Sequence, residues 1–251
     1  MNKIIFILID FDNVFKKAIN DYLLEEFELI IKEIIRDVLS LNLAPTEIKI
    51  RFYGGWFKED ILTNRASSLQ QLISSILIFP IVGENARITG SIELATSLYY
   101  FPGYVWTNTY KEKEGIPRLR INYENLPSWC SLNRNECPTF VLNRFTSKKD
   151  KSCYHDHCEI KNSDVFTGIE QKMIDTIISC DLISFSQEND IAAVCLFSDD
   201  LDLLPPLGFL SIFKTERNPN LQIHLFIKNE RHIDLSKQML KPFDVKINQY
   251  E

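Results

Sequence analysis

Ile4-Ile5-Phe6-Ile7-Leu8-Ile9-Asp10-Phe11-Asp12-Asn13 joins an apolar run to a short acidic motif. Six consecutive apolar residues followed directly by Asp10 predict a buried strand that ends at a carboxylate. The pattern recurs where Ala192-Ala193-Val194-Cys195-Leu196-Phe197 precedes Ser198-Asp199-Asp200-Leu201-Asp202. Ligands of open α/β sheets bind at the carboxyl ends of the strands. The two motifs therefore predict one shared acidic site.

Predicted strands and helices alternate along most of the chain. Apolar spacing predicts long helices over 14–40 and 168–183 and a shorter one over 91–100. Alternation over 47–53 predicts a second strand, which Gly54-Gly55 ends. Further predicted elements are strands near 79–82, 191–197, 221–227 and 243–248, and helices near 69–76, 201–212 and 232–240. This order predicts an α/β fold with a mostly parallel sheet and helices on both faces.

Residues 101–165 differ from the rest of the chain. They hold four of the six cysteines and two of the four histidines, with little helical periodicity. We therefore predict a core formed by 1–100 and 166–251 and a small inserted module formed by 101–165.

The inserted module has the ligands for a structural zinc site, which takes four Cys or His side chains in a tetrahedron. Zinc would also explain how a segment poor in periodic apolar residues folds. The favoured ligands, for which His155 or His157 is a possible substitute, are Cys130, Cys137, Cys153 and Cys158. Four unrelated reduced thiols remain the alternative.

Bulk composition limits the classes of function. The chain has 251 residues, of which 45% are hydrophobic, enough for a full core. Its net charge of −6 argues against non-specific coating of nucleic acid, which needs many Lys and Arg contacts to phosphate. That charge is compatible with an enzyme that holds nucleic acid through bound metal. No secretory signal or membrane span is predicted, so we expect a cytoplasmic protein that does not bind membranes.

The candidate catalytic set is acidic. Carboxylates that meet at a sheet edge repel one another unless a cation neutralises them, and oxygen-only ligands suit Mg²⁺ or Mn²⁺. Two such ions can activate a water and stabilise the attacking and leaving oxygens of a phosphodiester. The four predicted acids of this site are Asp10, Asp175, Asp200 and Asp202.

Supporting roles are predicted for four neighbours of these acids, namely Asn13, Lys172, Ser198 and Asp199. Lys172 and Asp175 are three residues apart and would share one face of the predicted helix, whereas Asp181 would lie farther round. The plainer alternatives are that acids after strands cap helices and that the Lys172–Asp175 pair is simply solvated.

Taken in order, these motifs resemble those of the NYN family of PIN-like nucleases, which includes LabA-like proteins. The family's first strand ends in Asp-x-x-Asn, as at Asp10 to Asn13. Its later helix carries Lys-x-x-Asp and a second acid, as at Lys172 to Asp175 with Asp181. Its next strand ends in Ser-Gly-Asp-x-Asp-Phe, as at Ser198 to Leu203, and Pro206-Leu207 follows here.

The resemblance covers residues around 1–100 and 166–250. It implies a PIN-like fold and Mg²⁺- or Mn²⁺-dependent cleavage, usually of RNA, with metal-binding catalytic roles for the four predicted acids. Asp199 stands where the family has glycine and Leu203 where it has phenylalanine. The extra carboxylate leaves the number of metal ions open.

Two other functions stay open. Asp10-Phe11-Asp12 also resembles the haloacid-dehalogenase phosphatases, whose first Asp is a nucleophile and whose second is an acid and base. A PIN-like domain that binds nucleic acid without cleaving it is the non-enzymatic alternative. Tyr53 or Trp56 is predicted either to stack on a nucleobase or to pack in the core. The expected partner is nucleic acid, with RNA favoured, and a homo-oligomer is possible.

Overall fold

The chain divides into two compact units. Unit 1 comprises Met1–Thr109 and Gln171–Glu251, and unit 2 comprises Tyr110–Glu170. Unit 2 begins and ends later in the chain than the predicted module over 101–165. The computed structural model describes residues 3–15, 17–83, 87–114, 135–147, 151–153, 157–165 and 167–250.

The described residues form the following elements. The strands are β1 (Ile4–Asp10), β2 (Glu47–Tyr53), β3 (Phe57–Lys58), β4 (Ile61–Leu62), β5 (Ile81–Val82), β6 (Arg87–Leu94), β7 (Tyr110–Glu114), β8 (Thr167–Gln171), β9 (Ile191–Phe197), β10 (Gln222–Ile227) and β11 (Lys246–Gln249). The α-helices are α1 (Phe11–Val14), α2 (Leu24–Leu39), α3 (Asn64–Ser75), α4 (Pro138–Thr146), α5 (Asn162–Val165), α6 (Ile174–Phe185), α7 (Leu204–Arg217) and α8 (Glu230–Met239). Two 3₁₀ turns occur at Ile19–Asp21 and Leu201–Leu203.

The main sheet has seven strands in the order β11-β10-β9-β1-β2-β6-β5. All neighbouring strands are parallel except β5, which runs antiparallel to β6. Strands β2, β6 and β5 lie on one side of β1, and the later strands β9, β10 and β11 lie on its other side. The strand order therefore reverses between β1 and β9, where Ile9 lies opposite Phe197. Such a reversal creates a crevice at the carboxyl ends of the strands.

Helices cover both faces of this sheet, which confirms the predicted α/β class. Successive side chains of β1 point to opposite faces. Ile5, Ile7 and Ile9 pack in the core that contains the buried residues of α2 and α3. Phe6 and Leu8 pack in the core that contains those of α6 and α7. Burial on both sides explains why β1 is a continuous apolar run.

The helix predicted over 14–40 is wrong at its start, because α2 begins at Leu24. Phe15 is extended and its ring packs on both Phe11, at 4.8 Å between centroids, and Phe27, at 5.6 Å. Burying three rings together requires the chain to leave the helical conformation after Val14. Local periodicity does not report this tertiary requirement.

The helix predicted over 91–100 is also wrong. Residues 87–94 form β6, whose residues alternate between exposed and half-buried and which pairs in parallel with β2. Gly90 makes this pairing possible, since a Cβ there would lie 2.5 Å from the carbonyl oxygen of Ile48. The alternation is typical of a half-buried strand.

The helix predicted over 168–183 is wrong at its beginning. Residues 167–171 form β8, and α6 starts at Ile174 after Met173, which has a positive φ of 66°. Lys172 therefore precedes the helix while Asp175 lies in its first turn. The predicted shared helical face for these two side chains is wrong.

Unit 2 contains a two-stranded sheet of β7 and β8, the helices α4 and α5, and an antiparallel bridge between Ser152 and Lys161. In the described part of the chain, no helix is long and apolar enough to cross a membrane.

Candidate functional site

Asp10 ends β1 and is 6% exposed. Its Oδ2 accepts hydrogen bonds from Asn13 Nδ2, at 2.5 Å, and from Ser198 Oγ, at 2.8 Å. Ser198 follows β9, and its Oγ also accepts a hydrogen bond from the backbone N–H of Asp200 at 3.0 Å. The Ser198 hydroxyl thus joins the two acidic motifs across neighbouring strands.

The segment 198–202 turns sharply after β9. Asp200 Oδ1 accepts a hydrogen bond from the backbone N–H of Asp202 at 2.9 Å and so caps the 3₁₀ turn. Asp200 is half-buried and Asp202 is exposed. Asp200 thus caps this turn, and the turn also keeps both carboxylates at the carboxyl edge of the sheet.

Electrostatic coupling links the predicted acids. Burial raises the pKa of Asp10 to about 6; the hydrogen bonds from Ser198 and Asn13 oppose that rise, and the charges of Asp12 and Asp175 add to it. The pKa of Asp175 is also raised, first by burial and then by the charges of Asp200 and Asp202. The charge of Asp175 thus acts on Asp10, and the charges of Asp200 and Asp202 act on Asp175; we call these four acids the acidic cluster.

Both carboxylate oxygens of Asp12 are engaged by side chains outside the acidic cluster. Its Oδ1 accepts a hydrogen bond from Arg65 Nη2 at 2.8 Å, and its Oδ2 accepts one from Gln171 Nε2. Gln171 Oε1 in turn accepts a hydrogen bond from the backbone N–H of Gly55 at 3.1 Å. Sequence reasoning missed Gln171, because an isolated amide at the end of a strand carries no recognisable signal. These contacts fix α1, and with it Asn13.

Asp199 ties the segment 198–202 to the turn between β10 and α8. Its Oδ1 accepts hydrogen bonds from the backbone N–H groups of Lys228, at 2.8 Å, and Asn229, at 2.9 Å. Its carbonyl oxygen lies 2.8 Å from His232 Nδ1. Because a carbonyl only accepts, that imidazole nitrogen carries the proton.

Asp181 lies in a buried ionic group behind the site. It is fully buried and accepts hydrogen bonds from Arg51 Nη1, from the Tyr53 hydroxyl at 2.7 Å and from the backbone N–H of Tyr99 at 2.8 Å. Arg51 Nε lies 2.8 Å from Glu93 Oε1 without hydrogen-bond geometry. These contacts hold α6 against β2, so Asp181 acts structurally.

Tyr53 and Trp56 belong to the core, since each is 1% exposed. The Trp56 ring packs on Phe11 with 5.5 Å between centroids. A Cβ at Gly54 would lie 2.8 Å from the Trp56 ring, so this glycine serves the packing of that ring. The alternative that Tyr53 or Trp56 stacks on a nucleobase is therefore wrong for this conformation.

Only some of the predicted zinc ligands lie within the described residues. Cys130 and His155 lie outside the described residues. Cys137 is buried just before α4, and Cys153 and Cys158 are half-buried near the 152–161 bridge. Within the described ranges, no group of three or more His, Cys, Asp or Glu side chains is arranged to hold a metal ion.

Comparison with protein-family models, with curated proteins and with solved structures gives no match. Any functional assignment therefore depends on the strand order, on the placement of the acidic cluster and on its electrostatics.

Proposed function

We propose that this chain is a metal-dependent nuclease of the PIN-like, NYN type, which hydrolyses phosphodiester bonds with RNA as the favoured substrate. One observation supports this most directly. Carboxylates from the end of β1, the turn after β9 and the start of α6 act on one another's protonation where the strand order reverses. Mutual repulsion of this kind is relieved by a bound cation.

A divalent ion suits the oxygen-only ligands of the acidic cluster. Mg²⁺ keeps several waters and commonly takes only one or two protein carboxylates together with substrate phosphates. A ligand group preformed by the protein alone is therefore not required. Asp10, Asp200 and Asp202 are the proposed ligands, and each would bind the ion either directly or through one of its waters. When bound, it would supply an activated water and neutralise charge on the reacting oxygens.

The chain's own residues have distinct tasks in this proposal. Asn13 and Ser198 both bond Asp10 Oδ2, which fixes the carboxylate and leaves Oδ1 for a ligand. Asp175 approaches from α6 and completes the cluster or positions the attacking water. Lys172 is exposed just before that helix and would contact a substrate phosphate.

Cleavage of mixed RNA and DNA with Mn²⁺ tests the proposal. We expect the wild type to cleave and Asp200→Asn to lose at least about 100-fold in rate, because metal ions supply several kcal/mol of stabilisation to such transition states. Asp190→Asn is the matched control, since this exposed aspartate directly precedes β9 at the opposite, amino edge of the sheet. Equal rates for the wild type and Asp200→Asn would contradict the proposal.

The phosphatase alternative depends on Asp12 as an acid and base. Both carboxylate oxygens of Asp12 are engaged, by Arg65 and by Gln171, which favours a structural role. Asp12→Asn should leave a nuclease partly active and should abolish a phosphatase. The binding-module alternative predicts that the intact protein binds RNA and cleaves nothing in the same assay.

A zinc-binding module remains part of the proposal. We expect about one zinc per chain by elemental analysis, as one tetrahedral site requires. Cys153→Ser and Cys158→Ser should each release it. Cys180→Ser is the control, because Cys180 lies on α6 in unit 1. Protein that contains no zinc after purification without chelators would contradict the module.

A further inference from the structure

Tyr250 lies at the corner of the site, directly after β11. Its backbone N–H donates to the carbonyl oxygen of Ile227 at 3.3 Å, next to the end of β10. Its ring packs edge-on against Phe197, the last residue of β9, with 5.3 Å between centroids. The Lys228 ammonium lies 5.7 Å from the ring centroid. The ring is therefore fixed at the carboxyl edge of the sheet.

The Tyr250 hydroxyl is buried without a hydrogen-bond partner among the described residues. The residue as a whole is 7% exposed. An unpaired buried hydroxyl is unfavourable by about 1–3 kcal/mol, so native proteins rarely keep one without a reason. Placement at a sheet edge where ligands bind provides such a reason.

The contacts of Tyr250 with the ends of β9 and β10 place it at the same edge of the sheet as Asp10 and Asp199. Burial raises the pKa of Tyr250, and the carboxylates of Asp199 and Asp10 raise it further. A phenol hydroxyl can donate a hydrogen bond. Asp10 Oδ2 and Asp199 Oδ1, however, already accept two hydrogen bonds each from other groups.

We propose that the Tyr250 hydroxyl donates a hydrogen bond to a phosphate oxygen of the substrate, which makes Tyr250 a substrate-binding residue of the acidic site. This rests on the proposed function in one respect, that the cluster engages a phosphodiester. A neutral donor suits this position. It binds an anionic oxygen among carboxylates without adding a positive charge, which would compete with the metal ion for those carboxylates.

Tyr250→Phe tests the proposal, because it removes one oxygen atom and keeps the ring against Phe197. The variant should be at least as stable as the wild type, since it loses an unpaired polar atom. Rates with Mn²⁺ and binding of a fluorescein-labelled, single-stranded RNA with Ca²⁺ are both measured. We expect a 10- to 100-fold loss in kcat/KM and weaker RNA binding, the range for a hydrogen bond to a charged group.

Tyr104→Phe is the matched control, because Tyr104 is 54% exposed and lies on the loop between β6 and β7. It should leave both quantities unchanged. Tyr250→Phe with unchanged kcat/KM and RNA binding would overturn the proposal.

A spectroscopic readout separates this proposal from the proposed nuclease function. In protein labelled with ¹³C at the tyrosine ring carbon that bears the hydroxyl, the Tyr250 resonance is assigned by its loss in Tyr250→Phe. The probe is inorganic phosphate with Mg²⁺. If the wild type neither cleaves nor binds RNA, the nuclease proposal fails, and a phosphate-dependent shift of this resonance still supports the Tyr250 assignment. An unmoved resonance at saturating phosphate would overturn it.

Discussion

The ionised form of Asp10 destabilises the folded protein. Its pKa rises from 3.8 to about 6 because burial disfavours the charge more than Ser198 and Asn13 favour it. Between these two pH values the folded protein binds more protons than the unfolded chain, so the contribution of Asp10 to stability falls as pH rises. Above about pH 6 the full free-energy cost of ionising this buried carboxyl, about 3 kcal/mol, opposes folding. Electrostatic destabilisation of this kind is expected at a functional site.

Asp10→Asn should therefore raise the free energy of unfolding at pH 7.5 by about 1–3 kcal/mol, since an amide keeps an acceptor for Ser198 and removes the buried charge. The difference from the wild type should shrink as pH falls through 6 and vanish below about 4. Urea denaturation of both proteins at several pH values measures this. A difference that is constant with pH would contradict the proposed cost of ionisation.

Residue roles at the site were only partly predictable. Asp10 and Ser198 were recognisable because each follows an apolar run, and residues after core strands meet at one edge. The hydrogen bond between them was not predictable, since it depends on which strands are neighbours. Gln171 and Tyr250 had no signal at all, because their partners are distant in sequence.

At the scale of elements, β6 depends on a close approach to β2 at Gly90. A Cβ built at Gly90 would lie 2.5 Å from the carbonyl oxygen of Ile48 and 2.6 Å from the Phe79 ring. The backbone oxygen belongs to β2 and cannot move without disturbing the sheet. A side chain at this position therefore forces β6 away from β2.

Gly90→Ala should destabilise the fold by about 1–3 kcal/mol through overpacking. Gly103→Ala is the control, because a Cβ there meets nothing within 4 Å, and its effect should stay within about 0.5 kcal/mol. Thermal unfolding of the wild type, Gly90→Ala and Gly103→Ala measures both losses of stability. Equal losses for both variants would show that the close approach at Gly90 is unimportant.

Helix α6 depends on one buried charge. Asp181 binds Arg51 and Tyr53 of β2 and the backbone of Tyr99, and all of these groups lie away from water. Removing one partner of a buried ion pair leaves the other uncompensated. The position of Asp175, six residues earlier on the same helix, therefore depends on Asp181.

Asp181→Ala should cost up to about 3–5 kcal/mol in the free energy of unfolding, because the buried Arg51 loses its buried carboxylate partner and keeps only Glu93 and the carbonyl oxygen of Ser97. The double change Asp181→Leu with Arg51→Met should recover much of this loss, since it removes both charges together. Denaturant unfolding of the single and double variants tests it. A double variant less stable than Asp181→Ala would contradict this account.

Strands agree well with their predictions: β9, an apolar run, and β2, which the alternation over 47–53 predicted, both have the predicted bounds. Burial on both faces leaves such segments no other conformation that hides their side chains. The helices were less predictable at their starts. The entry to α2 depends on the ring of Phe15, and the entry to α6 depends on the backbone of Met173.

At the scale of the whole molecule, unit 1 is made of two chain segments whose inner ends meet. The backbone N–H of Lys172 donates to the carbonyl oxygen of Thr109 at 3.0 Å, and both residues belong to unit 1. A short linker can therefore replace the intervening residues without stretching the core. Units with their own hydrophobic core can in principle fold alone.

Replacing residues 110–170 by a short Gly-Ser linker should leave unit 1 folded, with cooperative unfolding and the circular dichroism of an α/β protein. Zinc should disappear from the preparation if the proposed module binds it. Calorimetry and elemental analysis measure the two results. A product that aggregates or unfolds without cooperativity would show that unit 1 needs the replaced segment.

The order of apolar runs and acidic motifs already specifies an α/β protein with carboxylates after its first and later core strands, because hydrophobic periodicity is a local property of the chain. Which strands become neighbours is not local. Placing β9 beside β1 brings Ser198 to Asp10 across 188 positions, lets the charge of Asp200 act on Asp175, and sets the Tyr250 ring against Phe197. Packing of the two sheet faces, which depends on all the elements together, decides those contacts.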